Sequence, residues 1–385
     1  MEKIALLKCT EYDVEAIEKT LRSGFQLLGG EEYLRRLIPA NSRVLLKPNL
    51  LCAQEPGAPV ITHYAVFEAV IRIVKDYCGS LCFGDSPGAD DSKHAARKTG
   101  LLQVAERYGV EFCDFKETVE VSLENALLCR SWTVAKAPYE ADVVITLPKL
   151  KTHAMAYYTG AVKNQFGCVP GTRKAQWHTR MPDSHDFSRM ILDLNSLVGT
   201  SFAILDGIVA MEGNGPKNGT PRQLNTIIMG DSMSAVDSTA VRLIGYKDPR
   251  EVPMLKEAYD VKWGAVMPED IEILGEKLEN MAVDDFKLIR GKTDFNFLGP
   301  GVTAAMRRAI APNPKLIPDK CIGCRKCHNV CPQSPKAITM KRVDGKSIPV
   351  WNMKQCIRCF CCQELCPEGA IKIKYPTLAR LMGMK

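Results

Sequence analysis

Two cysteine runs near the C-terminus repeat one spacing: Cys321-x-x-Cys324-x-x-Cys327-x-x-x-Cys331-Pro332 and Cys356-x-x-Cys359-x-x-Cys362-x-x-x-Cys366-Pro367. Thiols at i, i+3 and i+6 wrap a loop around one face of a [4Fe–4S] cubane, and the fourth thiol leaves that loop. The proline after it stops the chain from continuing unchanged. Zinc sites show two cysteine pairs separated by a longer loop, which eight cysteines in this doubled pattern do not match. The spacing therefore makes the chain an electron handler. The runs are also an internal repeat, with Cys321 and Cys356 35 residues apart. Each is followed by a short apolar stretch, Ala337–Met340 and Ala370–Ile373, with two extra residues before the first, in Gln333-Ser334-Pro335-Lys336.

Residues 315–375 resemble the two-cluster module of bacterial ferredoxins, in which the fourth cysteine of each run ligates the other cluster. The resemblance implies two [4Fe–4S] clusters, one on Cys321, Cys324, Cys327 and Cys366, the other on Cys356, Cys359, Cys362 and Cys331. It also implies a small α+β ferredoxin-like dicluster domain over residues 318–385, joined to residues 1–300 by a linker, 301–317. Cys361, beside Cys362, departs from the pattern and reads as a packed thiol or an alternative ligand.

The sixteen cysteines fit a reducing cytoplasm, since clusters need thiolates. Cys9, Cys52, Cys78, Cys82, Cys113 and Cys129 are scattered, as buried small hydrophobes are. The first residues, Met1–Lys8, lack the apolar core of a signal peptide and read as a strand. No stretch approaches the ~20 apolar residues of a transmembrane segment. Residues 318–385 hold 13 Lys/Arg against 4 Asp/Glu, a formal +9 within a chain of +7, so residues 1–317 carry −2. A basic electron-transfer module predicts an acidic redox partner met by electrostatic steering. Its lysines are not interleaved with stacking aromatics, so nucleic acid is not the expected partner.

At 385 residues the chain is long for one core. Upstream of the cysteines, short apolar runs alternate with helical patterns. Strands are expected at Ile4–Lys8, Val44–Leu46, Leu81–Phe83, Val110–Cys113, Asp142–Leu147, Phe202–Leu205, Thr226–Met229 and Ile271–Leu274. Helices are expected at Val14–Leu28, Tyr64–Tyr77, His94–Tyr108, Phe187–Val198 and Met233–Leu243. Near-continuous apolar strands between helices predict an α/β fold, a parallel or mixed sheet with helices on both faces.

Polar motifs follow the strands: Lys47-Pro48-Asn49, Gly84-Asp85-Ser86-Pro87-Gly88, Lys149-Leu150-Lys151-Thr152-His153, Glu212-Gly213-Asn214-Gly215-Pro216 and Gly230-Asp231-Ser232. Ligands of open α/β sheets bind beyond the carboxyl ends of the strands, so these ends are expected to converge on one crevice. Turn chemistry alone also places Gly, Pro, Asp and Asn at strand ends. Lys149, Lys151 and His153 are harder to explain that way. Alternate strand residues share a face, and three cationic or ionisable groups pointing one way suit a small anionic ligand. Gly160–Gly171, containing Lys163, Asn164 and Cys168, reads as a loop or lid, and Cys168 as a thiol to watch. His153, His178 and His185 read either as metal ligands or as proton donors. Gly-x-x-x-x-Gly-Lys-Ser/Thr and Gly-x-Gly-x-x-Gly phosphate-binding turns are absent.

Together with Val162-Lys163-Asn164, these motifs resemble the iron–sulfur-centre family known as domain of unknown function 362, over roughly residues 1–300. The resemblance implies the fold and the clusters but no settled reaction. The expected function is an iron–sulfur oxidoreductase of an anaerobic or microaerobic cell. It would pass electrons from two clusters to a small anionic substrate, or to an additional metal or organic ligand, in the N-terminal crevice. Lys149 and Lys151 would hold the anion and His153 donate the proton. Lys47, Asn49, Asp85, Ser86, Lys163, Asn164, Glu212, Asn214 and Asp231 would line the site. The alternative is a ferredoxin-like carrier, or a subunit of a larger oxidoreductase, with a non-catalytic docking domain.

Overall fold

Alternate residues of the central strands feed two different cores. In a computed structural model of the protein, Ile4 and Leu6 pack on one side of the sheet, and Ala5 and Leu7 on the other. Leu45 likewise faces the first core while Val44 and Leu46 face the second. This is the period-2 pattern of a sheet covered on both faces. The structure describes residues 1–290 and 312–377, apart from positions 89, 172, 182, 344 and 375. The expected segment 301–317 therefore lies outside the described residues up to position 311.

The main sheet contains β1 (Glu2–Lys8), β2 (Arg43–Pro48), β3 (Ser80–Phe83), β4 (Glu111–Phe112), β7 (Val143–Leu147), β8 (Lys149–His153), β9 (Tyr157–Thr159), β10 (Phe202–Glu212), β11 (Thr220–Gly230) and β12 (Ile271–Gly275). A side hairpin is formed by β5 (Thr118–Ser122) and β6 (Ser131–Ala135). The strand order is β12-β1-β11-β10-β7-β2-β3-β4, with β8 paired to β10 and β9. Every neighbouring pair along this order is parallel except those made by β11, which runs antiparallel to both β1 and β10. The eight expected strands are all present. The segment expected as one helix over His94–Tyr108 is two, Ser92–Lys98 and Leu101–Tyr108, because Gly100 turns between them with φ +85°.

The C-terminal lobe is built on two small sheets, β13 (Asn313–Leu316) with β16 (Ile371–Lys374) and β14 (Ile338–Val343) with β15 (Lys346–Trp351). Residues 313–316, expected in the connecting segment, thus pair with the last strand of the lobe. The sequence repeat is also a backbone repeat. Gly323 and Arg358, 35 positions apart, have φ +71° and +58°, and Arg325 and Phe360 have +62° and +58°. Three of these four are not glycine, so each loop holds a conformation that costs energy. Each then enters a one-turn helix, Lys326–Asn329 or Cys361–Glu364.

Candidate iron–sulfur centres and the adjoining cleft

The curled loops gather the cysteines into two quartets. Cys321, Cys324, Cys327 and Cys366 line one cavity of about 340 Å³. Cys331, Cys356, Cys359 and Cys362 line a second, also of about 340 Å³. These are the two ligand sets implied by the crossed ferredoxin pattern. Burial pushes the Cys327 thiol up to about 11, and raises the Cys356 and Cys362 thiols too. Clustered buried thiols of this kind suit a group that binds them as thiolates and displaces their protons. The buried indole N–H of Trp351, in the wall of the second cavity, has no oxygen or nitrogen acceptor and bears on the Cys362 thiol. A sulfur-rich cluster supplies an acceptor at that point. The residues present therefore fit [4Fe–4S] groups.

At the carboxyl end of β2, Lys47 is fully buried, so its charge must be met by protein. Its Nζ lies 2.9 Å from Asp85 Oδ1 and donates to the Asn164 carbonyl at 2.6 Å. Asp85 Oδ2 accepts from the Leu50 amide at 2.8 Å. Gly167 approaches so closely that a Cβ there would lie 1.8 Å from Asp85 Oδ1. Asn49 Nδ2 donates to Asn164 Oδ1 at 2.9 Å, and Asn164 Nδ2 to Thr146 Oγ1 at 2.8 Å. Ser86 Oγ accepts from the Gly171 amide at 2.9 Å.

Above this network lies a cleft of about 690 Å³, open solvent included. Asn49, Asp85, Ser86, Lys163, Asn164 and Lys174 line it from the α/β domain, and Cys361 and Leu365 from the C-terminal lobe. Its two lysines differ in setting. Lys163 Nζ stands 5.8 Å from the Phe166 ring centroid, and Lys174 reaches the carbonyls of Ser86 and Pro87. The lobe is held in place by Gln363, whose side chain is buried. Gln363 Nε2 donates to Asn214 Oδ1 at 3.1 Å and to the Asn214 carbonyl at 3.3 Å, and Asn218 Nδ2 donates to the Gln363 carbonyl at 3.1 Å. Cys361 walls both this cleft and the cavity of the second quartet.

The strand Lys149–His153 uses its ionisable groups internally. Lys149 Nζ donates to Asp206 Oδ2 at 2.8 Å and Tyr12 Oη at 2.6 Å, and burial pulls its ammonium below the ordinary lysine range. Lys151 Nζ donates to Asn49 Oδ1 and the Val60 carbonyl, each at 2.7 Å. His153 Nδ1 accepts from the amides of Met155 and Ala156 at 3.1 and 3.2 Å. The anion-holding geometry expected of the two lysines is thus replaced by protein acceptors, as burial demands.

Other expectations separate in space. Glu212 binds the Lys287 ammonium at 3.0 Å and its amide at 3.1 Å, and Asn214 meets the lobe. Asp231 follows β11, the antiparallel strand, so it lies at the amino ends of the parallel strands, opposite the crevice, and accepts from Tyr33 Oη at 3.0 Å. His185 Nδ1 lies 2.6 Å from Glu257 Oε1, and the side chain of His178 is outside the described residues. Cys168 is fully buried, and burial pushes its thiol up to about 12, the reverse of a reactive thiolate. Among the described residues no three His, Cys, Asp or Glu side chains gather around a single-ion site. Lys174, Gln363 and Tyr12 were not legible as site residues, since no motif marks them.

The profile described as domain of unknown function (DUF362) matches residues 44–242, and a 4Fe-4S dicluster domain profile matches residues 313–367. A thylakoid-associated protein of Synechocystis is 32% identical over 256 residues, 66% of this chain and 78% of its own. An uncharacterized ferredoxin of Methanocaldococcus jannaschii is 41% identical over 56 residues, 14% of this chain and 70% of its own. Among solved structures, the lactate racemase apoprotein of Thermoanaerobacterium thermosaccharolyticum aligns with a TM-score of 0.39 at 10% identity, covering 60% of this chain and 54% of that one. The C-terminal lobe is accordingly a ferredoxin-like 4Fe–4S domain. No helix among the described residues is long and apolar enough to cross a membrane.

Proposed function

Because the chain belongs to the family described as domain of unknown function 362 and carries a 4Fe-4S dicluster domain, we propose that it is a redox enzyme in which two [4Fe–4S] clusters serve the cleft. The observation that carries this reading is Cys361, one side chain that walls both the second thiol cavity and the cleft. A dedicated carrier has no need to close a polar cleft of its own with the lobe that holds its clusters.

In this reading the clusters supply single electrons, and the residues around them do the rest. Lys163 and Lys174 hold a small anion by charge. Ser86 Oγ–H and the second hydrogen of the Asn49 amide orient it by hydrogen bonds. Lys47–Asp85 and Asn164, whose two amide hydrogens go to the Lys47 carbonyl and Thr146 Oγ1, keep that floor rigid, a framework for the site rather than its contact surface. Leu51, Phe166 and Leu365 narrow the access of water.

The test is calorimetric titration of anaerobically purified protein with inorganic phosphate and a panel of small carboxylates. One of these anions binds, and Lys163→Ala with Lys174→Ala weakens it at least tenfold. Where the anion that binds is a reducible carboxylate, it takes electrons from dithionite-reduced wild type faster than from the double variant; phosphate, which accepts no electrons, reports binding alone. Binding of none of them, with the protein recovered in a stable complex with a larger oxidoreductase, would show a carrier instead.

A further inference from the structure

The two quartets differ in what surrounds them. Of the eight cysteines only Cys324 is exposed, and it belongs to the first quartet. Cys361, beside Cys362 of the second quartet, lines both that quartet's cavity and the cleft, which Leu365 also lines. The β14–β15 hairpin runs past both like a ruler. Ile338 and its partner Trp351 line the second cavity, and Met340 and its partner Pro349, two residues on, line or flank the first. Alternate residues share a face and lie about 7 Å apart along a strand. The next pair on that face, Arg342 and Ser347, therefore lies beyond the first quartet, where the Ser347 carbonyl closes on Gly323.

That outer end combines an exposed apolar side chain with two cations. Ile322, in the wall of the first cavity, is 65% exposed. Arg325 lines the same cavity, and Arg342 is the next residue on the hairpin face that Met340 presents to it; both are exposed, while Val343 and its partner Lys346 take the opposite face. Of the exposed acids, Glu368 lines this cavity too and Asp319 lies on the same lobe; Asp344 lies outside the described residues. The lobe keeps its formal surplus of +9 over residues 318–385. An exposed apolar side chain flanked by cations on a basic lobe marks an interaction site, and the complementary partner is negatively charged.

We propose that the face around Ile322, Arg325 and Arg342 is the port at which the first cluster exchanges electrons with a small acidic one-electron carrier protein, the second cluster being the port to the cleft. The proposal rests on the cleft reading and gives the wire two distinct ends. The carrier loses one electron and is thereby oxidised. The group that Cys321, Cys324, Cys327 and Cys366 would hold gains that electron and would be reduced, with no bond formed or broken and no proton moved. The quartet of Cys331, Cys356, Cys359 and Cys362 would hold the group that serves the cleft.

The test uses the cluster-loaded protein and a small acidic two-cluster ferredoxin as probe. Arg342→Glu changes one exposed residue that is not a cavity-wall residue, which leaves folding near wild type. With the fluorescently labelled carrier in its oxidised form, anisotropy is expected to show at least tenfold weaker binding by the variant at low salt. Stopped-flow reduction by the reduced carrier is expected to slow by the same factor. Both differences shrink as salt screens the charges. Reduction by the methyl viologen radical cation is not slowed, which separates docking from cluster damage. Equal carrier binding and reduction by variant and wild type would overturn the port. Tight binding of duplex DNA with none of the carrier would overturn it as well. Anion titration of the cleft in the same variant stays at the wild-type value, so a failed port and a failed cleft give different results.

Discussion

Replacing Gly167 by alanine tests whether the floor of the cleft is as fixed as its contacts imply. The new Cβ would sit 1.8 Å from Asp85 Oδ1 and 2.6 Å from Lys47 Nζ. Non-bonded carbon contacts settle at about 3.5–4 Å, so the carboxylate must retreat by about 2 Å. It has nowhere to go. Oδ1 holds the Lys47 ammonium at 2.9 Å, Oδ2 holds the Leu50 amide at 2.8 Å, and both side chains are closed off from solvent. Breaking a buried ion pair while leaving one charge behind costs about 3–5 kcal/mol, roughly two to three powers of ten in the unfolding constant. Gly167 does not occupy the left-handed region, so backbone strain adds nothing. Gly213 is the control, with φ +75° and no atom near the added methyl, so Gly213→Ala costs only backbone strain of about 1–2 kcal/mol. Anaerobic thermal unfolding of the two variants, at matched iron content, gives the comparison. If Gly167→Ala costs no more than Gly213→Ala, the ion pair is not the fixed element described above.

Asp237 accepts from the amides of Ala161 and Val162 and from Tyr158 Oη, yet burial outweighs these donors and pushes its carboxyl up to about 7. An acid raised in the folded state binds more protons there than when unfolded, so stability falls as pH rises through about 7. Between pH 6 and 8 the loss is about 1.4 kcal/mol; Asp237→Asn should remove it, and equal slopes in anaerobic unfolding would show that Asp237 is not its source. Gln363→Leu strands the acceptors of Asn214 and Gly215 at the lobe contact, at about 1–3 kcal/mol. Hydrogen exchange of the hairpin tip over residues 213–219 should then rise roughly 5- to 150-fold, and unchanged exchange would mean that Gln363 does not hold the lobe there.

What could be read from the chain alone divides by how local the determinant is. The cysteine quartets were legible because three ligands of each lie within seven residues and the fourth follows from a shared template. The strands were legible because apolar runs report burial. Strand direction was not, since an apolar run looks the same either way. The antiparallel insertion of β11 is what sends Asp231 to the opposite end of the strands from the crevice. The lysines of β8 show a related gap. Period 2 places Lys149 and Lys151 on one face, but Asp206 and Asn49, which answer them, lie 57 and 102 residues away. Lys174 had no signal at all, being one lysine of a polar helix until the fold brings Ser86 beneath it.

The extra cysteine of the second run makes most sense as one of three neighbours with separate tasks. The helix Cys361–Glu364 is a single turn, and successive side chains leave a helix about 100° apart. Cys361 therefore points at the cleft, Cys362 at the thiol cavity and Gln363 at the hairpin tip of the α/β domain. Ligand spacing fixes only the middle of these three, which is why the ferredoxin pattern says nothing about the other two. Their directions follow from Cys362 by helix geometry alone. A lobe that binds its cluster in this register thus presents its docking glutamine and its cleft wall together.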